Sequence, residues 1–127
     1  MLDHVGLKVR DLAKAKVFYK AVLAPLGYEL LREIGPEVSA EYVGAAFGPF
    51  GKPEFWVGAG VPNGPLHIAF LAPNRAAVEA FYAAAIAAGG KDHGAPGVRA
   101  HYHPNYFGAF VLDPEGNNIE AVCHTTA

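Results

Sequence analysis

Cysteine is nearly absent. Cys123 stands alone, which excludes an intrachain disulfide and any Cys-rich zinc site, and it reads as a small buried hydrophobe near the end of a strand. Charge is sparse as well: the formal net charge is -2 and no run of Lys or Arg exists, so the electrostatic footprint of a nucleic-acid or anionic-membrane binder is missing. No stretch free of charge and of Gly/Pro punctuation reaches membrane-spanning length, and the opening MLDHVGLKVRDL has no basic stretch leading into a long apolar run. These absences point to a cytoplasmic protein that handles a neutral or mildly polar small molecule.

What is present is apolar. At 127 residues and 52% hydrophobic content the chain can close one sizeable core and is too short for two independent ones. An internal repeat organises it. LDHVGLKV at the start returns in pattern as PLHIAFLA from Pro65, which sets His4 and His67 63 residues apart. At that same offset Phe18-Tyr19 matches Phe81-Tyr82, Ala21 matches Ala84, Gly27 matches Gly90, and Asp11 falls opposite Asn74. The repeat predicts one module over 1–60 and a second over 65–127, joined by the turn-rich stretch GVPNGP, Gly60 to Pro65.

Each module opens with an alternating segment. Asp3, Val5, Leu7 and Val9 share one face and His4, Gly6 and Lys8 the other; Leu66, Ile68 and Phe70 oppose His67 and Ala69. Asp11 and Asn74 follow as helix caps, and the stripes Leu12, Ala15, Phe18, Val22, Leu26 and Val78, Phe81, Tyr82, Ala85, Ile86 predict two helices packed on one side. Gly27 and Gly89-Gly90 end them. Strands are then expected near 28–35, 39–48 and 53–59, and near 92–98, 106–113 and 117–124. The fold class is α+β: two repeated βαβββ modules whose curved mixed sheets, each covered outside by its helix, leave inner faces to enclose a cavity.

On those faces the alternation places His4, His67 and Glu120, the last with Asn118 and Val122 opposite Ile119 and Ala121. Two imidazoles and one carboxylate from three strands are the donor set of an open divalent-metal site, for Fe, Zn, Mn, Ni or Co, where a substrate with adjacent oxygens can take the remaining positions. Isolated, each residue reads as a hydrogen-bonded core histidine or a solvent-facing glutamate; the repeat-related placement is what favours ligation. The segment His101 to Tyr106 gathers donors and aromatic faces before a strand, with Tyr102 and His103 as candidate acid-base groups and a polar surface connection as the alternative. LDPEG reads as a turn with Asp113 and Glu115 facing solvent, His93 as solvated, and His124 as a frayed strand end. Trp56, Phe47, Phe50 and Phe107 read as core or interface packing, or as a pocket wall.

The opening DHVGLKV, the duplication across the chain, and the ending FVLDPEGNNIEAV resemble the vicinal oxygen chelate superfamily of glyoxalases, bleomycin-resistance proteins and extradiol dioxygenases. The resemblance implies ligands from the first and last strand of each unit, which carries over onto His4, His67 and Glu120. It implies a metal-dependent lyase, isomerase or dioxygenase, or a metal-free binding protein of the bleomycin-resistance kind, and it implies a homodimer, with the cavity formed in one chain or across two. Glyoxalase-type members take a fourth ligand from the strand that is KPEFWVGAG here. Counting from the preceding glycine gives Phe55 and the repeat offset gives Val57, neither a ligand, so an apolar residue is expected at that place and Glu54 falls out of register with both.

Overall fold

The computed structural model describes residues 1–62 and 64–127; Asn63, inside the expected link, lies outside them. The first half runs β1 (Val5–Val9), α1 (Leu12–Leu23), a 3-10 turn (Ala24–Leu26), β2 (Glu29–Ile34), β3 (Gly44–Gly48) and β4 (Phe55–Ala59). The second runs β5 (His67–Leu71), α2 (Arg75–Ala87), β6 (Lys91–Val98), β7 (Phe107–Leu112) and β8 (Asn118–Cys123). Two four-stranded sheets result, ordered β1-β4-β3-β2 and β5-β8-β7-β6, each with one parallel pair, β1 with β4 and β5 with β8. This is the α+β architecture of two curved mixed sheets that the repeat predicts.

The local chemistry that starts and stops the helices is as read. Asp11 Oδ1 accepts the amide of Lys14 at 3.0 Å and Asn74 Oδ1 that of Ala77 at 2.8 Å, satisfying first-turn N–H groups that have no helical partner. Gly27 closes the first helical segment at φ 85°, a left-handed conformation that costs glycine nothing. One expected strand is shorter. Residues 39–42 lie outside the ladder, because the Ser39 hydroxyl accepts the amides of Glu41 and Tyr42, both at 3.2 Å, and bends the chain before β3.

The core lies between helices and sheets and is continuous across both halves. From α1 come Phe18, Tyr19, Val22 and Leu23, from α2 Val78, Phe81 and Ala85, and the two helices touch each other. Phe70 of β5 reaches into the first half, its ring 5.2 Å from Phe55 and 5.5 Å from Tyr28, both edge to face. Cys123 is buried, as its apolar reading requires.

Polar contacts fasten the halves further, and they correct the reading of LDPEG. Asp113 is only 5% exposed: its carboxylate takes the phenol of the fully buried Tyr19, the amides of Glu115 and Asn117, and the side-chain amide of Asn117. Glu115 Oε2 accepts the amides of Arg10 at 2.8 Å and Asp11 at 3.2 Å, so a carboxylate from the second half sits at the start of α1, where the helix dipole favours it. Both residues therefore face the other half, since each finds there the donors that water would otherwise supply.

Candidate functional site

The face of each sheet away from the helices carries the candidate residues. In β1 and β4 the parallel register pairs Gly6 with Trp56, and in β5 and β8 it pairs Ala69 with Glu120. Gly6 and Ala69 are each two residues past the module's histidine, so Trp56 occupies in the first half the place that Glu120 occupies in the second. Phe55 and Val57, expected at the cavity, are instead fully buried against the helices, with Phe55 4.9 Å from the ring of Tyr19. The alternation is shifted by one residue. Neither expected residue faces the cavity: the counterpart of Glu120 in the first half is Trp56, which is no ligand either. Glu54 shares parity with Trp56, yet it precedes the strand and its carboxylate accepts the phenol of Tyr28 at 2.8 Å.

On the second sheet three side chains converge. His67 Nε2 lies 2.9 Å from Glu120 Oε1, and the phenol of Tyr106 donates to Glu120 Oε2. Glu120 is 1% exposed, so both carboxylate oxygens depend on these two partners. Burial, and then the carboxylate it touches, pushes the Tyr106 phenol well above its ordinary pKa, which keeps it a proton donor. Together with Tyr102, His103 and Phe110 these residues line a cavity of about 420 Å³.

The loop from His101 brings both of its expected residues here. Tyr102 stacks between His101 and Tyr106, with ring centres 4.2 Å and 4.8 Å away, and is 58% exposed at the mouth. His103 Nε2 sits 2.6 Å from Nδ1 of His124, so His124 is fastened to the loop and is not a frayed end. His93 is exposed, as read. Tyr106 is the residue the sequence reading missed. Its signal was parity: Tyr106 is four residues before Phe110, which the antiparallel register pairs with Glu120.

His4 stands apart from this group. Its Nδ1 is 2.7 Å from Oδ2 of Asp3, and it shares a cleft with Ala69, Phe70 and Leu71 at the far end of β5. His4 also lines, with Lys8, Leu66 and Asn117, a larger hollow over the first sheet, and neither hollow includes His67. His67 opens β5, about 13 Å of extended chain from Leu71. Within one chain His4 and His67 therefore do not line one cavity. Among the described residues no three His, Cys, Asp or Glu side chains come together as a metal-binding group, and no helix is long and apolar enough to cross a membrane.

The geometry can be set beside known proteins. The profile of the Glyoxalase/Bleomycin resistance protein/Dioxygenase superfamily matches residues 1–121. No curated protein matches by sequence. Among solved structures, a glyoxalase/bleomycin resistance protein from Albidiferax ferrireducens T118 is 27% identical, with a TM-score of 0.73 over 97% of this chain and 98% of that one. A glyoxalase/bleomycin resistance protein/dioxygenase family enzyme from Burkholderia phytofirmans PsJN is 24% identical, with a TM-score of 0.68 over 97% and 98% of the two chains. A mutant of glyoxalase I from Zea mays is 23% identical, with a TM-score of 0.70 over 95% of this chain and 43% of that one, and shows likeness of fold alone. A profile match over nearly the whole length, on a chain with this duplicated topology, settles kinship: the chain belongs to the Glyoxalase/Bleomycin resistance protein/Dioxygenase superfamily.

Proposed function

We propose that this protein is a metal-dependent enzyme acting on a small molecule with adjacent oxygens, its divalent ion held by His67 and Glu120 of one chain and by His4 of a second copy. The single observation carrying this reading is the side-by-side approach of His67 Nε2 and Glu120 Oε1 on the open face of the second sheet. A neutral imidazole and a carboxylate are a donor pair that suits Zn, Fe, Mn, Ni or Co, with their identity left to geometry and supply. His4 lines no cavity with them within one chain, and its own side chain is exposed.

A homodimer supplies the missing donor. β1 and β5 are edge strands, and Val5, Leu66 and Leu71 are exposed apolar residues on or beside them, which is the surface a second copy would cover. His67, Glu120 and the second copy's His4 would hold the ion, which would supply Lewis acidity toward the substrate's oxygens. The chain's own groups do the rest. Tyr106 donates to Glu120 Oε2, which fixes the carboxylate and leaves Oε1 directed at His67. Tyr102 and His103 flank the cavity mouth; His103 Nδ1 accepts the amide of Asn105, so any proton it exchanges with the substrate would pass through Nε2, the nitrogen it shares with His124.

A second reading has its own observation. Both oxygens of Glu120 are satisfied by His67 and Tyr106 with no ion involved, as in a cavity that only binds a ligand. Elemental mass spectrometry of tag-free protein separates the two. The enzyme reading expects about one metal per chain in the wild type and none in Glu120→Ala or in His4→Ala. Unfolding and refolding those two variants together should return roughly a quarter of the wild-type content, because half the dimers are mixed and each has one intact site. No metal after exposure to all five ions overturns the metal-dependent reading in favour of the binding protein, and no recovery on mixing overturns the shared site.

A further inference from the structure

The cavity over the first sheet, about 620 Å³, is the larger of the two and is built from different residues. Its floor is glycine by necessity. A Cβ on Gly58 would fall 2.7 Å from the Tyr42 ring, and one on Gly44 likewise 2.7 Å, so Tyr42 lies flat across β3 and β4 only because those two positions carry no side chain. Lying there, it meets Trp56 at 75° with ring centres 6.1 Å apart. The two rings form an aromatic corner, in which a third flat ring would stack on one wall and meet the other edge-on.

Cations stand over both walls. Lys8 Nζ is 4.6 Å from the centre of the Tyr42 ring, and the Arg32 guanidinium 5.8 Å from that of Trp56. Among the described residues neither cation is paired with a carboxylate, and no carboxylate lines the cavity. The chain as a whole is mildly acidic, which favours neutral ligands, but in a hollow the local sign decides, since apolar walls concentrate the field of the few charges they hold.

We propose that this aromatic corner is the binding subsite for a planar aromatic carboxylate, the ring held between Tyr42 and Trp56 and the carboxylate by Lys8. The volume is in the range of small-molecule sites, with aromatic walls and few polar groups. The inference deepens the proposed function by naming the class of molecule, and rests on that reading only for the chemistry done to it; occupancy of the corner needs none of the metal-binding residues but His4, which stands at its rim.

Trp56 is the sole tryptophan, so its emission reports the corner directly. The test is titration of chelator-treated, full-length protein with cinnamate and with its neutral counterpart cinnamyl alcohol, followed by tryptophan emission and by calorimetry. Saturable quenching is expected with cinnamate, with at least about tenfold weaker binding for the alcohol and a similar loss in Lys8→Met, as for removal of a charged hydrogen-bond partner. Lys8 is exposed, so that variant should fold. His67→Ala should bind cinnamate like the wild type. No saturable signal from folded protein, equal affinity for acid and alcohol, or an unchanged Lys8→Met would each overturn the subsite. Cinnamate binding by a protein that takes up no metal would sustain the subsite while the metal reading fell; metal uptake without cinnamate binding would do the reverse.

Discussion

Trp56 and Glu120 are structural counterparts: each is the last-strand residue paired in parallel with the small residue two places past its module's histidine, Gly6 in one case and Ala69 in the other. One module thus presents a carboxylate where the other presents an indole. The duplicated scaffold has kept the position and changed the chemistry of the side chain that stands there.

That equivalence makes Trp56→Glu a direct experiment. The new carboxylate would stand in the register position next to that of His4, as Glu120 stands next to that of His67. On the proposed function the variant gains a fourth donor and should hold Zn or Ni more tightly by about tenfold or more in a chelator competition, while losing cinnamate binding by calorimetry. Unchanged metal affinity in a folded variant would contradict the shared site.

Among the described residues Tyr106 is the only hydrogen-bond donor to Glu120 Oε2, and Tyr106→Phe leaves a buried carboxylate half-satisfied. A loss of about 1–3 kcal/mol in urea unfolding is expected, the cost of stranding a buried charged acceptor. Were the variant as stable as wild type, water would have to be reaching that oxygen.

Tyr19 and Asp113 predict an alkaline response. Burial first, and then Asp113, hold the Tyr19 phenol well above its ordinary value of 10.0. Folding therefore keeps the proton on. This contribution is fully present below pH 10 and is lost as pH rises above it, because the unfolded chain releases a proton that the folded one retains. Tyr19→Phe should flatten the fall in stability above pH 10, read from unfolding midpoints across an alkaline series; an unchanged slope would remove Tyr19 from the account.

Removing the acceptor is expected to be worse than removing the donor. Tyr19→Phe at neutral pH costs about 1 kcal/mol, whereas Asp113→Ala strands the Tyr19 phenol and the Asn117 donors together and should cost about 3 kcal/mol or more. Paired denaturant curves give the order directly, and the opposite order would mean that the network relaxes around the missing carboxylate.

Much of this was legible in the sequence because duplication repeats a signal. The inward parity of His67 and Glu120, the caps Asp11 and Asn74, and the glycine at 27 all follow from local alternation and turn chemistry. The parity of β4 did not, for a specific reason: Gly44 comes 10 positions after Ile34, whereas their counterparts Gly97 and Gly108 are 11 apart, so from the third strand onward the modules correspond at an offset of 64 in place of 63. His103 on His124 and Tyr19 on Asp113 were invisible for another reason: each joins segments whose approach is decided by packing, and no local pattern encodes it.

The Tyr19–Asp113 contact spans 94 positions and Glu115 reaches back 104 to the amide of Asp11. Synthesis delivers α1 early and its capping carboxylate late. The amino-terminal sheet emerges from the ribosome with a buried phenol still lacking its acceptor and with the place of Phe70 unfilled, so it cannot complete itself as an independent unit. Tyr19 gains its acceptor only once the turn at Asp113 has been made, so the second copy of the unit completes the core of the first.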